Sequence, residues 1–285
     1  MLVVRMIVDV HTHLPRNRQP AKSEKPKYYT ARPGHPIDMD ALCWDDHYKA
    51  MRNVDRAIVF GLSFGRDKHE NDNVAEYVRM YGGKFIGFLT VDPNGEDALE
   101  EVERCVNELK LKGIKLGPAY QNFHPYSERA CAIYSKAVDL GLPIIFHMGA
   151  TPGKYDPMEY SYPLILEKVA IAFPDLKMVV AHMGHPWIPD TIILIRKHPN
   201  VYADISALFY RPWQFYNALV LANEYDQMHK LLLGSDWPVT TPEETINNLR
   251  RINLIVEGTN LPRIPERKIE EIINRDALEI LGISP

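Results

Sequence analysis

Short apolar runs alternate with amphipathic stretches along almost the whole chain, and the two patterns differ in period. Runs at residues 6–10, 56–61, 85–91, 113–118, 143–147, 177–182, 201–205 and 231–235 read as buried strands. Between and after them, helical spacing appears at 39–53, 73–81, 96–111, 128–140, 163–173, 188–197, 212–225, 242–256 and 265–281. In the stretch 96–111, Leu99, Val102, Val106 and Leu109 are spaced to share one buried face. Eight strands alternating with helices in 285 residues predict an α/β fold of the (β/α)8 TIM-barrel type. An open doubly wound sheet is disfavoured because its Gly-rich dinucleotide signature is missing. No composition shift or low-complexity linker follows Pro36, so the expectation is one domain over residues 1–285.

One segment breaks the rhythm. Residues 15–36 hold five prolines, six Lys or Arg and a single acid, Glu24, a composition for irregular backbone. Placed after the first strand of a barrel, this loop would lie on the catalytic rim, where its charge favours an anionic substrate; a solvated loop without a ligand role is the alternative. The whole chain carries a formal net charge of -4, which gives no pull toward nucleic acid or an anionic membrane surface. No stretch approaches the ~20 apolar residues of a membrane helix. Three widely spaced cysteines, Cys43, Cys105 and Cys131, indicate neither a disulfide framework nor a thiolate metal site, and a reducing cytoplasm is the expected location.

The strand ends carry the chemistry. His11 and His13 stand two apart as the chain leaves the first strand and can grip one metal ion. His147 ends the fifth strand, His182 the sixth, and Asp236 follows the eighth. In a barrel these ends share one face, so residues remote in sequence converge. Imidazoles with one carboxylate suit Zn2+, or Mn2+, Fe2+ or Co2+, with an open position for water.

His11-Thr12-His13, His147, His182 and Gly234-Ser235-Asp236-Trp237-Pro238 resemble the amidohydrolase superfamily. Within it they are most similar to the branch containing aminocarboxymuconate semialdehyde decarboxylase, resorcylate-type decarboxylases and lactone hydrolases. The resemblance runs from Ile7 to the C-terminal Asn274–Gly282 stretch. It implies that His11, His13, His147 and Asp236 bind one divalent metal, zinc first, and that Asp236 takes the proton from attacking water. His182 is implied as the catalytic group that polarises the substrate or shuttles a proton. Some relatives carry a carboxylated strand-four lysine bridging two metals; Lys115 is in that strand, and a second ion is expected only if it is so modified.

Lys115, His185, Trp187 and Arg211 are the candidates for binding substrate, the arginine through its planar fork on a carboxylate. His124 is a weaker candidate, and Asp9 a hydrogen-bonding support for the paired histidines. His35, His47, His69, His198 and His229 are read as surface or structural. The expected function is metal-dependent hydrolysis of a small carboxylate-bearing lactone, ester or amide through a metal-activated water. The alternative is nonoxidative decarboxylation of an aromatic or unsaturated acid on the same ligands. The expected partner is an anionic small molecule, with homo-oligomer formation left open.

Overall fold

The structure, a computed structural model, describes residues 6–21, 28–67 and 69–284. Strand one, Val8–His13, pairs in parallel with strand two, Arg56–Phe60, which pairs with Phe85–Gly87. Strand three then changes partner. Its second piece, Leu89–Thr90, pairs with strand four, Ile114–Leu116, and the parallel order continues through Ile144–Phe146, Met178–Val180, Val201–Asp204 and Leu231–Leu232. Three hydrogen bonds close the ring between strands one and eight: Val10 N–H to Leu233 O (2.9 Å), Asp236 N–H to His11 O (2.8 Å) and His13 N–H to Trp237 O (3.0 Å). The chain is the (β/α)8 barrel that its alternation predicts.

Strand alternation divides the core in two. Val8, Val10, Ile58, Phe60, Ile86, Phe88, Ile145, Val179 and Leu232 fill the ring, closed below by Ala277, Leu278 and Leu281. Ala57, Val59, Ile144, Phe146, Met178 and Val180 pack outward against the helices. Lys115 pairs in register with Ile145 and is fully buried with a charged tip, so a lysine occupies an interior strand position. Gly113 lets Phe88 lie flat, since a Cβ there would fall 2.3 Å from the ring.

Where strand three switches partner, Asn71 replaces the missing ladder. It accepts from Thr90 N–H (2.9 Å) and donates to Thr90 O (3.0 Å) and to Glu101 (2.8 Å). This network explains a correction to the helix now bounded as Ala98–Asn107: Ala98, Glu101, Val102 and Cys105 are its buried face. Leu99 is exposed, and Val106 and Leu109 are only partly buried, because the face turns toward Asn71. The expected helix 265–281 is two helices, Glu266–Ile273 and Ala277–Leu281, separated where the Asp276 carboxylate caps the second by accepting from Leu278 and Glu279 N–H. The stretch 242–256 likewise gives way after Arg250 to a 3-10 turn, Ile252–Val256.

Of the segment 15–36, residues 22–27 lie outside the described residues; the rest is irregular apart from a bridge of Asn17 to Cys43 and from Tyr28–Tyr29, which pairs antiparallel with Ile37–Asp38. It crosses the C-terminal mouth, where Arg32 pairs with Glu244 at 2.9 Å and its guanidinium lies 5.2 Å from the Phe209 ring.

Burial alone would raise the Glu101 carboxyl, but hydrogen bonds from Arg104, Asn71 and Cys105 outweigh it and hold Glu101 below the usual glutamate range. A lowered folded pKa contributes stability above the unfolded value, ~4.3, that is lost as pH falls through the folded value. Glu101→Gln is expected to cost about 1–3 kcal/mol at pH 7 in urea unfolding and to flatten the acid side of the stability curve. An unchanged curve would show that the Asn71 network is not sustained by this charge.

Candidate metal centre

The site begins with an irregularity in strand one. Its register against strand two shifts between Asp9 and Thr12, and Asp9 Oδ1 accepts from both His11 N–H and Ser235 N–H at 3.0 Å. Thr12 Oγ1 donates to Ile58 O (2.7 Å) and accepts from His47 Nε2 (2.9 Å), whose Nδ1 lies 2.6 Å from the Tyr77 hydroxyl. Burial drives the His47 pKa down to about 3, so a neutral ring anchors the residue between the paired histidines. His47 is structural, as its sequence reading allowed.

His11 and His13 are held as definite tautomers by their acceptors, an assignment made from hydrogen-bond partners. His11 Nδ1–H donates to Asp204 Oδ2 (2.9 Å) and His13 Nδ1–H to Gly61 O (3.3 Å). Both Nε2 lone pairs then face Asp236 Oδ1, at 3.3 and 3.2 Å. Asp236 adopts a left-handed backbone (φ 63°), as do His182 (φ 55°) and Ala207 (φ 54°), so strain gathers where strands six to eight end. Gly234 leaves the room: a Cβ there would stand 3.1 Å from His11 Cβ and 3.2 Å from Ser206 Cβ.

Ligand atoms of His11, His13 and Asp236 lie within 4.8 Å of one another, all three residues buried. His147 is not in that grouping; it stands beside His182, its Nδ1 3.3 Å from His182 Nε2, and its buried Nε2 has no partner among the described residues. A second grouping, His11, His182 and Asp204, is equally tight but already satisfied. Asp204 Oδ2 receives His11, while Oδ1 receives His182 N–H (2.9 Å), Ser206 N–H (3.1 Å) and the Ser206 hydroxyl (2.5 Å). Asp204 and Ser206 escaped the sequence reading, although Asp204 ends strand seven just as His147 and His182 follow strands five and six.

Burial depresses the His11 pKa to about 3, with the nearby Lys115 charge adding to it, and lowers His147 and His182 in the same direction. Burial would raise Asp236, but the neighbouring histidines, His182 first and then His13 and His11, outweigh it and hold the carboxyl at about 2. At neutral pH His11, His147 and His182 are therefore neutral imidazoles beside an ionised Asp236 carboxylate. These groups present lone pairs to one another, and a divalent cation is the species that satisfies such a set. The unpartnered His147 Nε2 agrees with that fit.

The predicted substrate residues divide. Lys115 lies under the cluster, Nζ 3.2 Å from His11 Nε2, and does not line the cavity; burial brings its pKa down to about 8. His185 and Arg211 do line it. Trp187 does not: it precedes the helix Ile188–Lys197 and packs edge-on against Tyr162 at 5.5 Å. His124 is exposed, its Nδ1 accepting from Tyr126 N–H. The cavity, about 790 Å³, is walled by the stacked Phe64 and Tyr120 (4.9 Å) and by Tyr29 and Tyr210. Arg16, Arg66 and Arg211 face it, and none pairs with a carboxylate among the described residues.

Histidines and an aspartate gathered at the C-terminal mouth of a (β/α)8 barrel define a metal-dependent barrel enzyme. A family model described as amidohydrolase matches residues 8–257, and the chain belongs to that family. It is 22% identical to the 2-amino-3-carboxymuconate-6-semialdehyde decarboxylase of Dictyostelium discoideum, over 98% of this chain and 92% of that protein. Among solved structures it resembles a dihydroxybenzoic acid decarboxylase from a Polaromonas species, with bound manganese and the inhibitor 2-nitroresorcinol (TM-score 0.69, 17% identity, 98% of this chain and 97% of that one). It also resembles a probable 2-pyrone-4,6-dicarboxylic acid hydrolase from Acinetobacter baumannii with citric acid bound (TM-score 0.65, 15% identity, 97% and 99%). Among the described residues no helix is long and apolar enough to cross a membrane.

If Asp204 orients His11 as its hydrogen bond indicates, Asp204→Asn lowers metal affinity about 10–100-fold in a competition titration with a chromogenic chelator. Unchanged affinity would remove the carboxylate from any part in holding the centre.

Proposed function

We propose that the chain is a metal-dependent hydrolase of a small, planar, carboxylate-bearing lactone, ester or amide. One observation carries the reading: the groups that face the cavity beside the cluster, Asp236 and His182, are both in their proton-accepting forms. Asp236 is ionised and His182 is neutral, and a site stocked with bases is suited to taking a proton from water. His11, His13, His147 and Asp236 would hold one divalent ion, zinc by preference because nitrogen donors predominate, with manganese, iron or cobalt as substitutes. What that ion supplies when bound is Lewis acidity toward a carbonyl and toward water.

The chain's own residues do the rest. Asp236 accepts the proton of the attacking water as the new C–O bond forms, and its carboxyl returns that proton to the leaving oxygen or nitrogen as the scissile bond breaks. His182 presents its second nitrogen to the same space, where it accepts or passes a proton. Arg211, half-buried and paired with no acid among the described residues, takes the substrate carboxylate, and its guanidinium is fixed by donating to Ala207 O (2.9 Å) and lying 4.5 Å from the Tyr210 ring centroid. Phe64 and Tyr120 offer a flat wall to a ring or conjugated chain. Lys115, enclosed beneath His11, acts from below as a buried cation beside Asp204 and Asp236 instead of touching substrate, and we take it as an unmodified amine.

Nonoxidative decarboxylation is the second reading, favoured by the similarity to a decarboxylase along nearly the whole chain. A panel of lactones and aromatic carboxylates, assayed for acid release and for CO2, separates the two. Acid released without CO2 is expected; CO2 formed in step with substrate loss would replace hydrolysis by decarboxylation. On whichever substrate turns over, Arg211→Ala is expected to raise KM about tenfold to a hundredfold, the range for a lost charged hydrogen bond. A KM unchanged in that variant would move carboxylate recognition away from Arg211.

A further inference from the structure

The hydrogen bonds behind His182 fix which of its nitrogens carries the proton, and a buried hydroxyl makes the shorter of them. Ser206 follows strand seven and is fully buried. Its Oγ lies 2.5 Å from Asp204 Oδ1 and 2.8 Å from His182 Nδ1. Asp204 Oδ1 already accepts from the backbone N–H groups of His182 and Ser206, so this oxygen is an acceptor and the single hydroxyl proton of Ser206 must point toward it. The serine oxygen then has only lone pairs left for His182. Nδ1 of His182 must therefore bear hydrogen, and the carbonyl of Ser206, 3.3 Å from the same nitrogen, makes the same demand. Nε2 is left as the bare nitrogen, turned toward His147.

We propose that Ser206 is a positioning residue that holds His182 as the Nδ1–H tautomer, so that Nε2, the nitrogen turned toward His147 in the cavity wall, is the unprotonated one. The same Asp204 carboxylate orients His11 through its other oxygen, and one buried acid thus sets the proton positions of a metal-binding and a cavity-facing histidine together. The spacing is built in: Gly234 is the residue whose missing side chain lets His11 and Ser206 approach the acid from two sides, each Cβ within 3.2 Å of where its own Cβ would stand. A serine placed here only to fill space would not need a 2.5 Å contact on one side and a 2.8 Å contact on the other. Alanine would fill the gap nearly as well.

The proposal rests on the hydrolase reading only for its kinetic consequence; the tautomer itself is independent of the reaction. The test uses the full-length zinc-loaded protein with histidines labelled by 15N, and wild type against Ser206→Ala. In wild type, His182 is expected to show a protonated Nδ1 and an unprotonated Nε2. Ser206→Ala removes the shorter contact and keeps the backbone carbonyl at 3.3 Å, so the Nε2–H form is expected to appear beside the Nδ1–H form and kcat to fall, with KM and zinc content held. An Nε2–H His182 in wild type would overturn the proposal whether or not the variant folds. So would a variant whose His182 keeps the wild-type pattern. If the tautomer shifts in the variant while turnover on every hydrolysable substrate stays the same, Ser206 keeps its role and the assignment of His182 as a base fails instead.

Discussion

Lone pairs crowd together at the mouth of this barrel without enough protons to separate them. The Nε2 atoms of His11 and His13 both face one oxygen of Asp236 at 3.2–3.3 Å, on the largely buried floor of the cavity. Their other nitrogens are committed to Asp204 and Gly61, so neither ring can turn to donate without abandoning an acceptor that would be left buried and unpaired. Lys115 reaches this group as a donor from within the ring, at 3.2 Å from His11. The arrangement stores repulsion that a small, doubly charged ion relieves. The rest of the architecture serves to hold that repulsion in place.

Much of the machinery that holds it is backbone. Left-handed residues after strands six, seven and eight, a register shift in strand one and the bare Cα of Gly234 bring side chains from four separate strands to one point. Such conformations persist only where the surroundings over-determine them. Here Asp9 does so by tying strand one to strand eight, and the His47–Thr12 chain by fixing the outward residue between the two histidines. The cavity above is a different kind of surface, with aromatic walls and arginines that pair with no acid among the described residues.

The alternation of apolar runs and helical spacing was enough for the barrel, because each run is buried on both sides and says so in its composition. The strand-end histidines and Asp236 were legible for the same reason: a polar ligand closing an apolar run stands out. Asp204 and Ser206 were equally placed but drew no notice, since an acid and a serine after a strand look like ordinary turn residues. Trp187 misled in the opposite direction. It sits two residues from His185 in sequence, yet the start of the next helix carries its ring away from the cavity and onto Tyr162. Leu99 failed because helical period locates a stripe but not the neighbour it faces, and the polar Asn71–Glu101 contact pulled the helix round. A splice like that of strand three, where Asn71 takes over from a ladder, leaves no mark in hydropathy.

The central claim is that these lone pairs belong to a single ion. Crystals of the zinc-soaked protein, measured on both sides of the zinc absorption edge, test it without reference to any substrate. The account predicts one strong anomalous peak enclosed by His11, His13, His147 and Asp236. No peak there, or one displaced to the surface carboxylates, would contradict it.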